Sequence, residues 1–185
     1  MQTFLLATGL VAVAEIGDKT QLLSLVLAAR FRKPWPIVAG IALATLLNHA
    51  AAAALGSWVT THVPADWLRW ILGLSFIAMA GWALVPDRLD EGAQQVGRFG
   101  VFLTTLVAFF IAEIGDKTQV ATIALAAQEG VFVAVVAGTT LGMLIANVPV
   151  VFLGERLTRR LPLRAIRGVA AALFAVLGVW VLLRG

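Results

Sequence analysis

Two copies of one charged hexapeptide lie inside otherwise apolar sequence. The string EIGDKT occupies residues 15–20 and recurs, letter for letter, at residues 113–118. A charged side chain at the centre of a membrane span costs at least ~2.5 kcal/mol on insertion scales. Carboxylates at such a depth are therefore expected to pair with cations, to bind protons or to hold a metal ion.

The charges of the two copies do not balance. Four carboxylates accompany two lysines, so the set has a net charge of −2; its members are Glu15, Asp18, Glu113, Asp116, Lys19 and Lys117. One divalent cation or two protons would neutralise that charge, which suits a site that exchanges one for the other. Structural salt bridges between each glutamate and the lysine four residues later would leave the aspartates unexplained. We therefore predict a metal site at the four acids, with the lysines as charge-balancing groups.

The donor atoms favour hard cations. Carboxylate oxygens suit Ca²⁺ and Mn²⁺, whereas Mg²⁺ gives up its water reluctantly. Gln21 and Gln119 follow the two copies and could add amide oxygens, although interhelical hydrogen bonds explain them equally well. The threonines of the motif, Thr20 and Thr118, are expected to bond back to carbonyls of their own helix. The choice between Mn²⁺ and Ca²⁺ stays open.

Three further polar residues are predicted at membrane depth, namely Asn48, His49 and Asn147. They could lie behind the acids or relay protons. A lone histidine is more often a packing residue than a ligand, so His49 has both interpretations. If His49 does bind the ion, its nitrogen favours Mn²⁺ over Ca²⁺.

The composition is that of an all-α membrane protein. Hydrophobic residues make up 61% of the 185 and charged residues 13%, which is unlike a soluble domain. A bilayer core of about 30 Å needs roughly 20 apolar residues per helix. Six stretches meet that length, and they are residues 4–29, 35–60, 67–85, 101–127, 131–154 and 165–183.

The basic residues indicate how these six spans are oriented. With loops on alternating sides, almost all loop arginines and lysines fall on one side, and only Arg69 and Arg184 fall on the other. The positive-inside rule makes the first side cytoplasmic and places both termini outside. This distribution also explains the net charge of +4 without nucleic acid as a partner.

The chain is predicted to consist of two related halves. A shift of 98 positions, without any gap, superimposes Glu15 on Glu113 and Trp82 on Trp180. Residues 1–85 and 101–185 then form three-helix repeats, joined by a cytoplasmic linker at 86–100. Because three is odd, the second repeat enters the membrane from the opposite side. In such an inverted pair, two motifs near the bilayer midplane can converge on one site.

The duplicated motif resembles the signature of the GDT family of cation/proton exchangers, which includes Golgi calcium/manganese transporters and bacterial manganese exporters. The resemblance covers essentially the whole chain. It implies that Glu15, Asp18, Glu113 and Asp116 form the cation site, and that Mn²⁺ or Ca²⁺ is exported against protons. The short linker and the lack of an N-terminal extension imply a bacterial inner-membrane protein.

The leading hypothesis is thus a secondary active transporter rather than an enzyme, with no cofactor beyond the transported ions. No G-x-x-x-x-G-K-[ST] sequence is present, so an ion gradient is the expected energy source. A cation or proton channel could use the same acids, and a scaffold could use the motifs only to hold helices together. The expected partners are a divalent cation and the lipid bilayer, and a homodimer is compatible with the small size of the chain.

Overall fold

The computed structural model describes residues 1–85, 100–154 and 162–183, and the regular secondary structure within these ranges is all helix. Eight helices are present there: α1 (Gln2–Glu15), α2 (Lys19–Phe31), α3 (Pro34–His62), α4 (Ala65–Ala83), α5 (Gly100–Glu113), α6 (Lys117–Glu129), α7 (Phe132–Leu153) and α8 (Leu163–Leu183). The predicted linker at 86–100 lies, apart from its last residue, outside the described residues.

Two predicted helices are wrong in one respect. The sequence predicts continuous helices over 4–29 and 101–127, but each is broken at its hexapeptide, into α1 and α2 and into α5 and α6. The other four predicted spans agree with α3, α4, α7 and α8 to within about two residues at each end.

Three of the helices, α3, α7 and α8, are long and apolar enough to cross a membrane, and α1 and α5 are shorter apolar helices. Large apolar side chains cover the outside of the bundle; Trp67 and Val176, for example, are 69% and 66% exposed. In water such an apolar surface would promote aggregation, whereas in a bilayer it is the expected lipid-facing surface. The fold is therefore that of a membrane protein.

The helices of the second half repeat the spacing of the first. Helices α1 to α4 begin at Gln2, Lys19, Pro34 and Ala65, and α5 to α8 begin at Gly100, Lys117, Phe132 and Leu163. Each start in the second set lies 98 positions after its counterpart. The local signals that begin a helix therefore act at equivalent positions in both halves.

Glycines allow the close helix contacts that hold the motif helices in place. Helix α1 packs against α7, and α5 packs against α3. A Cβ on Gly138 of α7 would lie 2.6 Å from the carbonyl oxygen of Phe4, and one on Gly40 of α3 would lie 2.9 Å from that of Phe102. Only glycine lets the backbones approach so closely. Helices α4 and α8 pack against each other, with the rings of Phe76 and Phe174 6.5 Å apart.

Candidate metal centre

Each hexapeptide contains a helix break rather than a turn of helix. Helix α1 ends at Glu15 and α2 begins at Lys19; between them Ile16 is extended and Gly17 has φ +85°. The second copy repeats this geometry, with Gly115 at φ +74°. Glycine adopts a positive φ at almost no cost, whereas other residues lose about 1–2 kcal/mol there. The same six residues, in the same order, thus produce the same helix break twice.

The glutamines after the motif stabilise the break. The Gly17 N–H donates to Oε1 of Gln21 at 3.0 Å, and the Gly115 N–H donates to Oε1 of Gln119 at 2.8 Å. Gln21 also donates from Nε2 to the Ala146 carbonyl of α7 at 3.1 Å, which is the interhelical hydrogen bond that the sequence left as an alternative. In this structure the amide oxygens cap the break, and their role as metal ligands stays a prediction.

A capping signal in the sequence could have revealed the break. Asp18 and Asp116 are the residues that precede the first turns of α2 and α6, and a glutamine follows each aspartate three positions later. An Asp-x-x-Gln pattern of this kind resembles a capping box, in which both side chains satisfy free N–H groups of a new helix. The apolar flanks favoured one long helix and hid this signal.

Three buried carboxylates meet where the breaks face each other. One oxygen each from Glu15, Glu113 and Asp116 lies within 4.8 Å of the other two. The two glutamates are fully buried and Asp116 is 1% exposed. Oε1 of Glu15 and Oε1 of Glu113 accept no hydrogen bond from the residues that the structure describes. Such oxygens, held together without donors, are what a cation or protons would satisfy.

The two lysines connect the two copies of the motif. Lys19 Nζ lies 3.0 Å from Asp116 Oδ1, and Lys117 forms the equivalent ion pair with Asp18. Each lysine therefore pairs with the aspartate of the other copy. Salt bridges along one helix, with Glu15 or Glu113, are the alternative to a metal site, and they do not account for these pairs between the copies. Asp18 is buried beside Lys117 and lies outside the three-carboxylate group.

The threonines of the motif do not bond to carbonyls of their own helices, so that prediction is wrong. Thr20 Oγ1 donates to Oε2 of Glu15 at 2.5 Å. Thr118 Oγ1 lies 3.2 Å from Oε2 of Glu113 and from Oδ2 of Asp116. The helix break turns these hydroxyls back toward the glutamates. They fix one oxygen of each glutamate and leave the other for a ligand.

The remaining predicted residues lie on α3 and α7, close to the motif helices. Asn48 donates to the Phe110 carbonyl of α5 at 3.1 Å, and Asn147 accepts from Ser24 of α2 at 2.8 Å. His49 is fully buried, and neither of its ring nitrogens has a hydrogen-bond partner among the described residues. Among the same residues, it is not part of the group whose carboxylate oxygens lie close enough to share a metal ion. The asparagines thus position the broken helices.

The helix ends around the carboxylates carry opposite partial charges. Carbonyl groups at the last turns of α1 and α5 carry partial negative charge, and N–H groups at the first turns of α2 and α6 carry partial positive charge. The aspartates lie at these N-terminal ends, where a carboxylate is stabilised. The arrangement supports several charges near one another inside an apolar bundle, as broken helices do in transporters.

Comparison with known proteins identifies one family. A family model described as the divalent cation/proton antiporter GDT1 matches residues 3–91 and 101–185. A protein of Vibrio cholerae named "Putative manganese exporter" is 55% identical over 170 residues, which cover 91% of this chain and 84% of that protein.

More distant relatives carry names of the same family. A GDT1-like protein of Synechocystis is 28% identical over 92% of this chain and 93% of its own length. GDT1-like protein 4 of Arabidopsis thaliana is 25% identical over 97% of this chain and 94% of its own length. No solved structure gives a significant match.

Proposed function

The chain belongs to the GDT1 family of divalent cation/proton antiporters, and on that premise we propose that it exchanges Mn²⁺ for protons at one site between the two hexapeptides. The observation that carries the proposal is the buried group of Glu15, Glu113 and Asp116, whose oxygens lie within 4.8 Å of one another. Oxygen ligands lie 2.3–2.6 Å from Ca²⁺, so two opposite ligands of one ion are separated by about 5 Å at most. The three carboxylates are close enough to share one ion.

The charge of the site sets the proposed stoichiometry. The six charged residues of the two motifs sum to −2, and every one of them belongs to the buried group or to the two cross-repeat ion pairs. One Mn²⁺ neutralises this charge, and so do two protons. Either load removes the cost of moving a charged site through an apolar environment. Exchange of one Mn²⁺ for two protons is electroneutral.

Mn²⁺ is proposed as the cargo ahead of Ca²⁺ because of one relative, and the donor set is compatible with that choice. The relative with 55% identity has manganese in its name. Carboxylate oxygens are suitable ligands for Mn²⁺ as well as for Ca²⁺, so the donor set accommodates this choice. The lysines Lys19 and Lys117 hold the aspartates in place and balance part of their charge.

The architecture behind this function is proposed to be six spans in two inverted repeats. The 98-residue spacing of all four helix starts supports the repeat. The reciprocal ion pairs, Lys19 with Asp116 and Lys117 with Asp18, support a two-fold relation between the halves, because equivalent residues exchange partners. In this arrangement α1 with α2 forms one broken span, and α5 with α6 forms another.

Location and orientation are also proposals. The Vibrio cholerae relative supports a bacterial inner membrane, and the basic residues support termini on the outer side. A reporter enzyme fused to the C-terminus should be active only outside the cytoplasm; activity inside would reverse the orientation. The described residues of the proposed site come from one chain, and a homodimer is compatible with this arrangement.

Transport by purified protein in liposomes tests the proposal. With an outward proton gradient, Mn²⁺ uptake should be accompanied by loss of lumenal protons, and Ca²⁺ should compete. Clamping the membrane potential at different values should leave the rate unchanged because the exchange is electroneutral. Flux that ignores the proton gradient would instead indicate a channel. Asp66→Asn is a matched control, since Asp66 is an exposed acid at the start of α4, remote in sequence from both motifs.

A further inference from the structure

Contacts between the outer ends of the broken helices define two halves of the bundle. Thr3 at the start of α1 donates a hydrogen bond to Oε2 of Glu129 at the end of α6, at 2.8 Å. These helices define the α1–α6 half. The equivalent positions, 98 residues away, are Val101 of α5 and Phe31 of α2, which pack against one apolar cluster. They define the α2–α5 half.

The interface of α3 with α6, in the α1–α6 half, is tightly closed. A Cβ on Gly56 of α3 would lie 2.3 Å from the carbonyl oxygen of Ile123 and 3.0 Å from the Cβ of Ala126. The first distance is shorter than real contacts of a Cβ and the second is tighter than most of them, so the two helix backbones approach closely at this point. Water and ions cannot pass between helices at such a contact.

The equivalent interface of α7 with α2, in the other half, is hydrogen-bonded at Gln21 and Ser24 but open toward the C-terminal ends of the two helices. The counterpart of Gly56 is Gly154, and a Cβ there would have no heavy atom of a neighbouring helix within 4 Å among the described residues. A cavity of about 510 Å³ lies between the two helices, lined by Leu25, Ala28, Val151 and Gly154 among others. Ala28 is the counterpart of Ala126. Gly56 therefore lies against Ala126 in the α3–α6 interface, whereas the equivalent pair in the α7–α2 interface, Gly154 and Ala28, is separated.

Helices α4 and α8 add to this difference. Helix α8 packs against α1 and α4 packs against α6, so both cover the α1–α6 half. Neither α8 with α2 nor α4 with α5 forms a comparable contact in the part of the chain that the structure describes. Consequently Ala127 is 8% exposed, whereas its counterpart Ala29 is exposed.

The two aspartates of the motifs are also in different arrangements. Asp116 belongs to the carboxylate group with Glu15 and Glu113, and its Oδ2 accepts from the Thr118 N–H at 3.3 Å. Asp18 is the equivalent residue, but it makes no such bond to the start of α2 and lies outside the group, paired with Lys117. One sequence motif therefore exists in two arrangements within one molecule.

We propose that the two copies exchange these arrangements during each transport cycle: Asp116 completes the three-carboxylate site while the α1–α6 half is closed, and Asp18 takes its place when the α2–α5 half closes. This inference rests on the proposed function. Nearly identical motifs in related surroundings make the two states close in energy. Each glutamate serves the ion in both states, and each lysine keeps its partner in the other repeat.

Thiol labelling tests the exchange, and the chain offers a natural background because it contains no cysteine. Ala28→Cys and Ala126→Cys mark equivalent positions in the two interfaces. With a minor state populated at 10% or less, a membrane-impermeant reagent should modify Ala28→Cys at least about tenfold faster than Ala126→Cys in liposomes without metal. The reagent is applied from each side of the membrane in turn.

The aspartate variants then supply the decisive comparison. With Mn²⁺ present, Asp116→Asn should slow labelling of Ala28→Cys and speed that of Ala126→Cys, because only the state that uses Asp18 keeps three carboxylates. Asp18→Asn should leave the pattern of the parent protein unchanged. Identical shifts in both variants, or equal labelling of the two cysteines in the parent, would overturn the exchange. Cation transport by the parent protein, measured in the same liposomes, shows separately whether the proposed function holds.

Discussion

The two hexapeptides have the same six letters but different surroundings, and this difference identifies what the rest of the fold contributes. Lys117 has 5% of its side chain exposed and Lys19 has 16%. A Cβ on Gly17 would lie 2.8 Å from Leu163, whereas one on Gly115 would have nothing within 4 Å among the described residues. The break itself is determined by local sequence, since it forms twice. The accessibility of each copy is determined by the helices packed around it.

The largest effect should come from the residues that the two copies use alike. Glu15→Gln and Glu113→Gln each remove an oxygen donor from a fully buried site. Because altering even a supporting group near a metal costs about 10- to 100-fold in affinity or activity, loss of a ligand should reduce Mn²⁺ exchange by at least ~100-fold. Uptake of radioactive Mn²⁺ into liposomes measures this, beside the Asp66→Asn control. A glutamate variant with near-normal exchange would remove that residue from the site.

The lysines should separate the two copies by stability. Lys117→Met leaves Asp18 buried without its ion-pair partner in the other repeat, and breaking a buried pair costs about 3–5 kcal/mol. Lys19→Met should cost less, because Lys19 is more exposed and water can partly replace it. Thermal unfolding in detergent should therefore show a larger decrease of Tm for Lys117→Met. Equal decreases would mean that the difference in exposure has no energetic consequence.

Replacement of the packing glycines should destabilise the two repeats equally. These variants therefore test a feature that the two repeats share. Gly40→Ala and Gly138→Ala each introduce a Cβ within 3 Å of a carbonyl oxygen of a motif helix. Overpacking of this kind costs about 1–3 kcal/mol, and the two costs should be similar. Gly81→Ala is the control, since its Cβ would meet no described residue within 4 Å. Unfolding temperatures of the three variants measure the effect, and a strong loss in only one of the first two would contradict equal packing.

The smallest effect is expected from the contact that only one half has. Thr3→Val removes the hydrogen bond to Glu129 and keeps the shape of the side chain. A hydrogen bond contributes about 0.5–1.5 kcal/mol net, so the closed α1–α6 half should lose up to roughly tenfold in population. Labelling of Ala126→Cys should rise accordingly. No change in labelling would assign the bond a purely local role.

Much of the fold follows from periodic and compositional signals. The 98-residue register, the four unbroken helices and the buried position of the motif acids follow from apolar length and from repetition. The helix breaks do not, because apolar flanking residues on both sides of Gly17 and Gly115 fit one continuous helix as well. Only the aspartate with a glutamine three positions later distinguishes a new helix start, and this is a short signal within a long apolar pattern.

The contacts of the candidate site depend on how distant segments pack. The sequence predicts which acids and lysines matter, but the lysines pair with aspartates about a hundred positions away, and no local spacing encodes such a partner. The prediction that the threonines bond to carbonyls of their own helices is wrong because it assumes a continuous helix at each motif. The sequence also cannot predict that Asp18 lies outside the carboxylate group, because the two copies of the motif are identical.

The reciprocal ion pairs have a consequence for the biosynthesis of the chain. Asp18 and its partner Lys117 are 99 positions apart, and ribosomes add about 5–20 residues each second, so the aspartate waits roughly 5–20 s for its counter-charge. During that interval the nascent first repeat holds an acid that the apolar core would reject. The carboxyl group must be protonated, hydrated or sheltered by the insertion machinery until the second repeat arrives. Completion of the bundle is therefore also the moment at which the buried charge of Asp18 is first compensated.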